Sequence, residues 1–263
     1  MHTRRSLSMV LVVGAGALSL ASAQTGPGPA GADTPLFNGR DLSGWKVPAG
    51  DNGHWRVVEG VIDYDAASEA PGDKHLWTEQ SYGDFVLRLE WRLTSTPYVN
   101  PNVPIIRFDG THKKDAEGRD IRIPVPDSDS GVFLRGSDKA QVNIWCWPIG
   151  SGEVYGYRTD AKMPAAVRAG VTPARNADRH IGEWNAFEIT MRGSRLTVVL
   201  NGETVISNAE LPGVPARGPI ALQHHGSKKG DLWIGPPSLV QFRNISIREL
   251  PAAGERPAPA MSR

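Results

Sequence analysis

The 263 residues carry 29 basic and 28 acidic side chains. No net field draws the chain to nucleic acid, and the Lys228-Lys229 pair is too short for a phosphate-binding stripe. Cys146 is the sole cysteine, which excludes an intrachain disulfide, and a chain of this length needs none: it buries roughly 70–75 % of its unfolded surface as one domain.

Arg4 and Arg5 precede an apolar run from Leu7 to Leu20, and Ala21-Ser22-Ala23 follows with the small-x-small spacing of a signal peptidase site. The run is short for a bilayer span, and no cysteine stands at the cleavage point to carry a lipid. Residues 1–23 are therefore expected to be a cleaved signal peptide, and the chain to be exported to the periplasm or beyond. Residues 24–33, rich in Gly, Pro and Ala, read as a flexible linker, and residues 251–263 as a flexible tail. The folded unit is expected over 34–250. No later segment reads as transmembrane, so no stable membrane insertion is expected.

Between those limits the hydrophobic period is two. Phe85, Leu87, Leu89, Trp91 and Leu93 alternate with Val86, Arg88, Glu90 and Arg92, which predicts a strand with one apolar face. Strands are also expected at 132–135, 141–147, 185–192, 196–200, 204–206, 220–225 and 240–250. Asn201-Gly202 is a strong two-residue hairpin signal, and Gly193-Ser194 marks a second tight turn. Residues 161–169 offer one or two helical turns, broken at Pro164. Short strands punctuated by Gly and Asn turns predict an all-β fold of two packed antiparallel sheets.

Alternation sorts the polar side chains by face. Glu90 and Arg92 share one face of their strand, Phe133 and Arg135 another. Gln141, Asn143 and Trp145 oppose Val142, Ile144 and Cys146. Gln223 and His225 oppose Leu222 and His224. One sheet surface could therefore gather Glu90, Arg92, Arg135, Gln141, Asn143, Gln223 and His225, with Trp145 as a wall. Amides, a carboxylate and guanidinium groups give directed hydrogen bonds to sugar hydroxyls, and an indole gives a stacking face. Glu153, Tyr155 and Arg158, in and after the Gly-rich stretch 150–156, are expected at the rim. Each has a plainer reading: Glu90 and Arg92 as cross-strand partners, Arg135 as a brace for a loop carboxylate, His225 as a turn residue.

The ordered blocks resemble a known family of exported bacterial proteins, the 3-keto-disaccharide hydrolase domain. They are Leu36-Phe37-Asn38-Gly39-Arg40-Asp41-Leu42-Ser43-Gly44-Trp45, the WRVVEGVI stretch at 55–62, Tyr82-Gly83-Asp84-Phe85, Leu89-Glu90-Trp91-Arg92, and Asp129-Ser130-Gly131-Val132-Phe133-Leu134-Arg135. Gly182-Glu183-Trp184-Asn185, Leu200-Asn201-Gly202, Gly218 to Gly226 and Phe242-Arg243-Asn244-Ile245 follow. The resemblance covers nearly all of 34–250. It implies a concanavalin A-like jelly-roll sandwich with a pocket drawn from these blocks. The chain departs from the family in carrying Asp129 for a usual Asn and His224 for a usual Asp. It lacks the acid of an E-x-Q-I-x-D pattern at 141–147. Thr94 to Ser128 forms an insertion, expected to be a long loop or added hairpin.

No E-x-D-x-x-E pair of acids is present, so ordinary retaining glycosidase chemistry is not supported. The resemblance implies instead a 3-keto sugar, whose C2 hydrogen is acidic: a base removes it, the C1 leaving group departs by elimination, and water can add afterwards. His225 is the first choice of base, Glu90 the second, with Arg92, Arg135 or a divalent cation stabilising the oxyanion. No zinc-binding motif and no calcium spacing is present. A calcium or transition-metal ion would be held by His225 and Glu90. The expected ligand is a small molecule or oligosaccharide. The alternatives are a carbohydrate-binding domain without catalysis and a structural or adhesive surface domain.

Overall fold

The computed structural model describes residues 32–251. The expected signal peptide, most of the expected linker and nearly all of the expected tail lie outside the described residues. Asp33, at the end of that linker, belongs to the fold, because it accepts both 2.9 Å bonds from Arg88 on the first sheet.

The strands up to the middle of the chain are β1 (Thr34–Pro35), β2 (Trp45–Lys46), β3 (Trp55–Val58), β4 (Val61–Asp65), β5 (Leu76–Thr78), β6 (Phe85–Leu93), β7 (Tyr98–Pro104), β8 (Arg122–Asp127), β9 (Ser130–Leu134) and β10 (Ser137–Ile144). Two short helices follow, α1 (Tyr155–Arg158) and α2 (Ala165–Gly170). Then come β11 (Asn185–Arg192), β12 (Arg195–Leu200), β13 (Glu203–Glu210), β14 (Ala221–Leu222), β15 (Lys228–Lys229), β16 (Leu232–Trp233) and β17 (Leu239–Glu249). One sheet runs β13-β12-β11-β6-β17-β4-β3, with β1 on β17; the second runs β10-β9-β14-β5-β2. Their pairings are antiparallel, and the two sheets pack as an all-β sandwich.

The period of two places the core. Phe85, Leu87, Leu89, Trp91 and Leu93 of β6 are buried, and β11 sets Phe187, Ile189 and Met191 beside them in register. From the second sheet, Leu76, Val132, Leu134, Val142, Ile144 and Leu222 are buried against them in one cluster. Each fully buried aliphatic side chain contributes about 1.5–3 kcal/mol. The β12–β13 turn is the expected Asn201-Gly202, with φ +54° and +86°, the left-handed pair that a two-residue hairpin of matching twist requires.

The insertion is a hairpin. β7 and β8 pair antiparallel, and the chain beyond them folds back with bridges at Ile106–His112 and Lys114–Asp120. Pro164 does not interrupt a helix at 161–169. It stands just before α2, where its missing N–H costs nothing.

Strand alternation misplaces Arg135. β9 ends at Leu134, and Arg135 takes φ +52°, so its side chain leaves the face of Phe133. It is 1 % exposed and donates to the carbonyls of Gly83 (2.8 Å), Gly193 (2.6 Å) and Pro215 (3.2 Å) and to Asp84 Oδ1 (2.9 Å). Asp84 also accepts the Gly193 N–H. One guanidinium thus ties three loops together at the end of the sandwich. Arg135→Ala should cost about 3–5 kcal/mol of unfolding free energy, because it breaks an ion pair whose guanidinium is buried and leaves three loop carbonyls without their donor. Urea unfolding measures it, and a loss within about 1 kcal/mol, the range of an exposed pair, would contradict this role.

Candidate functional site

Antiparallel partners share a face, so register fixes the outer surface of the five-stranded sheet. Trp77 pairs with Ala221, Ala221 with Phe133, and Phe133 with Gln141. One step along, Asn143 pairs with Gly131, and the Gln223 N–H donates to the Gly131 carbonyl. Leu76, Val132, Val142 and Leu222, between these rows, point into the core. The outer face therefore carries His75, Trp77, Phe133, Gln141, Asn143 and Gln223. Trp77 and Phe133 stack at 5.9 Å between centroids, and His75 lies 4.7 Å from the Phe133 ring.

Gly131 is required at the centre of this face. A Cβ there would stand 2.3 Å from Gln141 Nε2 and 2.9 Å from the Val142 carbonyl oxygen. The bare glycine lets the Gln141 amide lie flat across β9, where it donates to Gln223 Oε1 and, at 3.4 Å, to the Ser130 carbonyl. The Asn143 main chain is used up, its N–H donating to the Glu153 carbonyl and its carbonyl accepting from Gly152. Its side-chain amide is left for a ligand. Gln141 and Gln223 are 9 % exposed and Asn143 is 3 % exposed, so these amides form a floor that is largely shielded from solvent.

At the end of this floor stand Asp129 and His225, whose main chains are joined through one buried hydroxyl. The His225 N–H donates to Ser238 Oγ (2.6 Å), and Ser238 Oγ donates to the Asp129 carbonyl (2.7 Å). The His225 Nδ1–H donates to the Pro236 carbonyl (2.6 Å). A carbonyl only accepts, so the proton of the neutral ring sits on Nδ1 and Nε2 keeps its lone pair. His75 has the opposite tautomer. Its Nδ1 accepts the His224 N–H (3.0 Å), which puts the proton on Nε2, and burial pushes its pKa down. Its Nε2 is 3.8 Å from Asp73, beyond hydrogen-bond range.

The Asp129 carboxyl is pushed up to about 7. Burial is the main cause, the nearby Asp127 adds to it, and His225 opposes it. Asp127 is itself raised by burial but is fully engaged, accepting from Cys146 N (3.2 Å), Trp147 Nε1 (3.0 Å) and Asn100 Nδ2 (3.3 Å). Among the described residues no side-chain hydrogen bond engages the Asp129 carboxyl, in contrast to that of Asp127.

Glu153 and Arg158 form a buried ion pair at 2.6 Å. Burial raises the Glu153 carboxyl and Arg158 pulls it back. Arg158 also donates to His112 Nε2 (3.2 Å), and His112 Nδ1 then donates to Asp120 (2.8 Å). This chain of contacts ties α1 to the inserted hairpin. Tyr155 is exposed, 5.5 Å from the Arg158 guanidinium.

The remaining expected residues lie elsewhere. Glu90 and Arg92 alternate with the core side chains of β6 and so occupy the outer face of the other sheet, with the whole core between them and His225. Glu90 accepts from Arg243 (2.6 Å) and Asn244 (3.0 Å), and Arg92 donates to Gln241 (2.8 Å). Arg92 and Arg243 flank the Trp184 ring at 4.6 and 4.0 Å. The expected single gathering of Glu90, Arg92, Arg135 and His225 is thus overturned: alternation gives each sheet its own outer face, and Arg135 sits on neither. A metal shared by His225 and Glu90 fails for the same reason. Trp145 is no wall of the floor either. It turns in after β10, 3 % exposed, stacks on Trp147 at 4.2 Å and donates to the Gly150 carbonyl. His75, Trp77, Phe133 and Asp129 were not singled out as site residues. The out-in-out pattern of His75-Leu76-Trp77 and the unusual acid at 129 were the available signals.

Among the described residues no helix is long and apolar enough to cross a membrane, and no three His, Cys, Asp or Glu side chains gather as a metal site. No curated protein matches the chain. Two crystal structures of candidate glycosyl hydrolases from Parabacteroides distasonis share the fold. One is 24 % identical, with 83 % of this chain and 84 % of that chain covered and a TM-score of 0.50. The other is 18 % identical, with 83 % and 94 % covered and a TM-score of 0.50. The family model described as the 3-keto-alpha-glucoside-1,2-lyase-like domain matches residues 32–248. That match spans both sheets, the inserted hairpin and the Asp129–His225 corner, and the chain belongs to this family.

Proposed function

We propose that this domain acts outside the cytoplasm on 3-keto-glycosides, cleaving them by C2 proton abstraction and elimination across C1 and C2. The observation that carries the reading is the Asp129–His225 corner: a carboxyl raised to about 7 beside an imidazole whose Nε2 lone pair is fixed by the Pro236 carbonyl. The family description supports the substrate class and the bond broken. The Arg4-Arg5, apolar, Ala21-Ser22-Ala23 pattern supports export.

His225 Nε2 takes the C2 proton. The C–H electron pair moves into a C2–C3 double bond, and the keto oxygen becomes an enolate. The His75 Nε2–H and the amides of Asn143 and Gln223 donate to that oxygen, a fixed set of dipoles aimed at developing charge. When the enolate re-forms the ketone, the C1–O bond breaks with its electrons on oxygen, and protonated Asp129 supplies the leaving group's proton. The product is a C1–C2 unsaturated 3-keto sugar and a free alcohol. Addition of water to it gives net hydrolysis. Trp77 and Phe133 offer a flat apolar surface to the ring.

Purified protein with 3-keto-glucosides, unoxidised glucosides and a chelator arm tests this. Turnover of the keto forms alone is expected, and His225→Gln should lower it at least about 100-fold. A chelator-sensitive rate would assign oxyanion stabilisation to a divalent ion. Sugar binding with no turnover of either form would replace the enzyme reading by a binding one.

The Asp129 shift gives a pH dependence. Its carboxyl is protonated below about 7, so the rate should fall as pH rises through that value. Asp129→Asn should remove that limb along with most of the activity. Stability moves with the same group. A carboxyl raised in the folded state favours folding at acid pH, and that contribution is lost as pH rises through its folded value. Asp129→Asn should therefore be more stable than the parent at pH 8 and should lose that advantage below pH ~4, near the unfolded carboxyl value. Thermal melts at both pH values check this, and equal melting temperatures at pH 8 would contradict the raised Asp129 carboxyl.

A further inference from the structure

A recess of about 280 Å³ opens between the end of β6 and the loop that leads into β11. It lies on the core side of the six-to-eleven strand pair, away from the outer face that carries Asn143 and Gln223. Trp91, Trp145, Trp147, Asp178 and Asn185 are among the residues that line it.

Two of its lining residues each carry a buried side-chain atom with no hydrogen-bond partner, Trp91 Nε1 and Asp178 Oδ1. Trp91 is 2 % exposed. A buried polar atom without a partner costs about 1–3 kcal/mol, so two of them on residues that line one cavity favour an occupant that reaches both. They are complementary. An indole N–H only donates, and a carboxylate oxygen only accepts. The other Asp178 oxygen is already taken by the Ser151 N–H (2.8 Å), and burial pushes the carboxyl up to about 6. Asn185 Oδ1 accepts from Arg179 N (2.9 Å) and Asn201 Nδ2 (2.8 Å), which leaves its Nδ2 as a further donor.

We infer that this recess is a binding site for a neutral polyhydroxy compound, separate from the proposed Asp129–His225 site. A hydroxyl donates and accepts at once. The hydroxyls of one ligand give a proton to Asp178 Oδ1 and take one from Trp91 Nε1. A simple amine answers only the carboxylate, and a carboxylate ligand answers only the indole while facing Asp178. Indole walls suit the C–H faces of a sugar ring or cyclitol. The volume holds one ring, below the usual size of a drug-like pocket. Trp147 links the two sites, because it lines this recess and donates to Asp127, two residues before Asp129.

The test follows the Trp91 indole N–H resonance of the full-length protein during titration with methyl α-D-glucopyranoside and, separately, myo-inositol. A saturable shift of that resonance with at least one probe is expected. Trp91→Phe and Asp178→Asn should each weaken binding at this site about tenfold, the loss of one hydrogen bond to a charged or buried partner. Binding in the Trp91 variant is read from the Trp145 and Trp147 indole resonances. Asn143→Ala should leave the shift intact, which separates this site from the proposed catalytic floor. No indole shift with either probe, or a shift lost in Asn143→Ala but kept in Asp178→Asn, would overturn the proposal. A crystal soak showing ordered water alone against Asp178 and Trp91 would do the same.

Discussion

A β-strand sends only every second side chain into the core, and a two-sheet sandwich has one core with an outer face on either side. That constraint decides which polar groups of this chain can meet. The outer face of the larger sheet is a lattice of cross-strand pairs, Glu90 with Arg243 and Arg92 with Gln241, and Gln241 donates onward to Asp63. Its charges are spent on one another. The outer face of the smaller sheet carries few charges and several amides with unused hydrogen-bonding capacity. The difference follows from where the partners fall in the register.

The smaller face is also where the fold bears electrostatic cost. Asp129 and Asp127 are raised by burial, and His75 is lowered by it. A fold selected for stability alone would leave such carboxyls in water. Here one of them, Asp127, is held by three donors and supports the Trp147 ring, while Asp129 beside it keeps its capacity. The main chain does the positioning. The Gly131 gap, the Ser238 hydroxyl and the Pro236 carbonyl fix Gln141, Asp129 and His225 without a charged partner.

Much of the fold was legible in the sequence, because alternation over β6, β11 and β12 and the Asn201-Gly202 turn are local signals. The pairing of Gln141, Asn143 and Gln223 on one face followed from the same alternation. It failed where a strand ended. Arg135 follows β9 by one residue at φ +52°, and Trp145 follows β10 by one, so counting by twos carried both onto a face they do not share. It failed again in merging Glu90 with His225, because period two tells which side of its own sheet a residue takes and not which sheet that is. The Asp129 shift was hidden for a different reason: its surroundings include the loop at 236–238, which bonds to its main chain from more than a hundred residues away.

The claim that chemistry occurs at the Asp129–His225 corner is tested most directly by proton exchange at the substrate's C2. In deuterated water with a 3-keto-glucoside, proton NMR should show loss of the C2 hydrogen signal at a rate at least matching cleavage in the parent protein. His225→Gln should abolish it while still binding the sugar. Exchange that continues undiminished in His225→Gln would mean that another group takes the proton, and the outer face of the smaller sheet would lose its claim to be the active site.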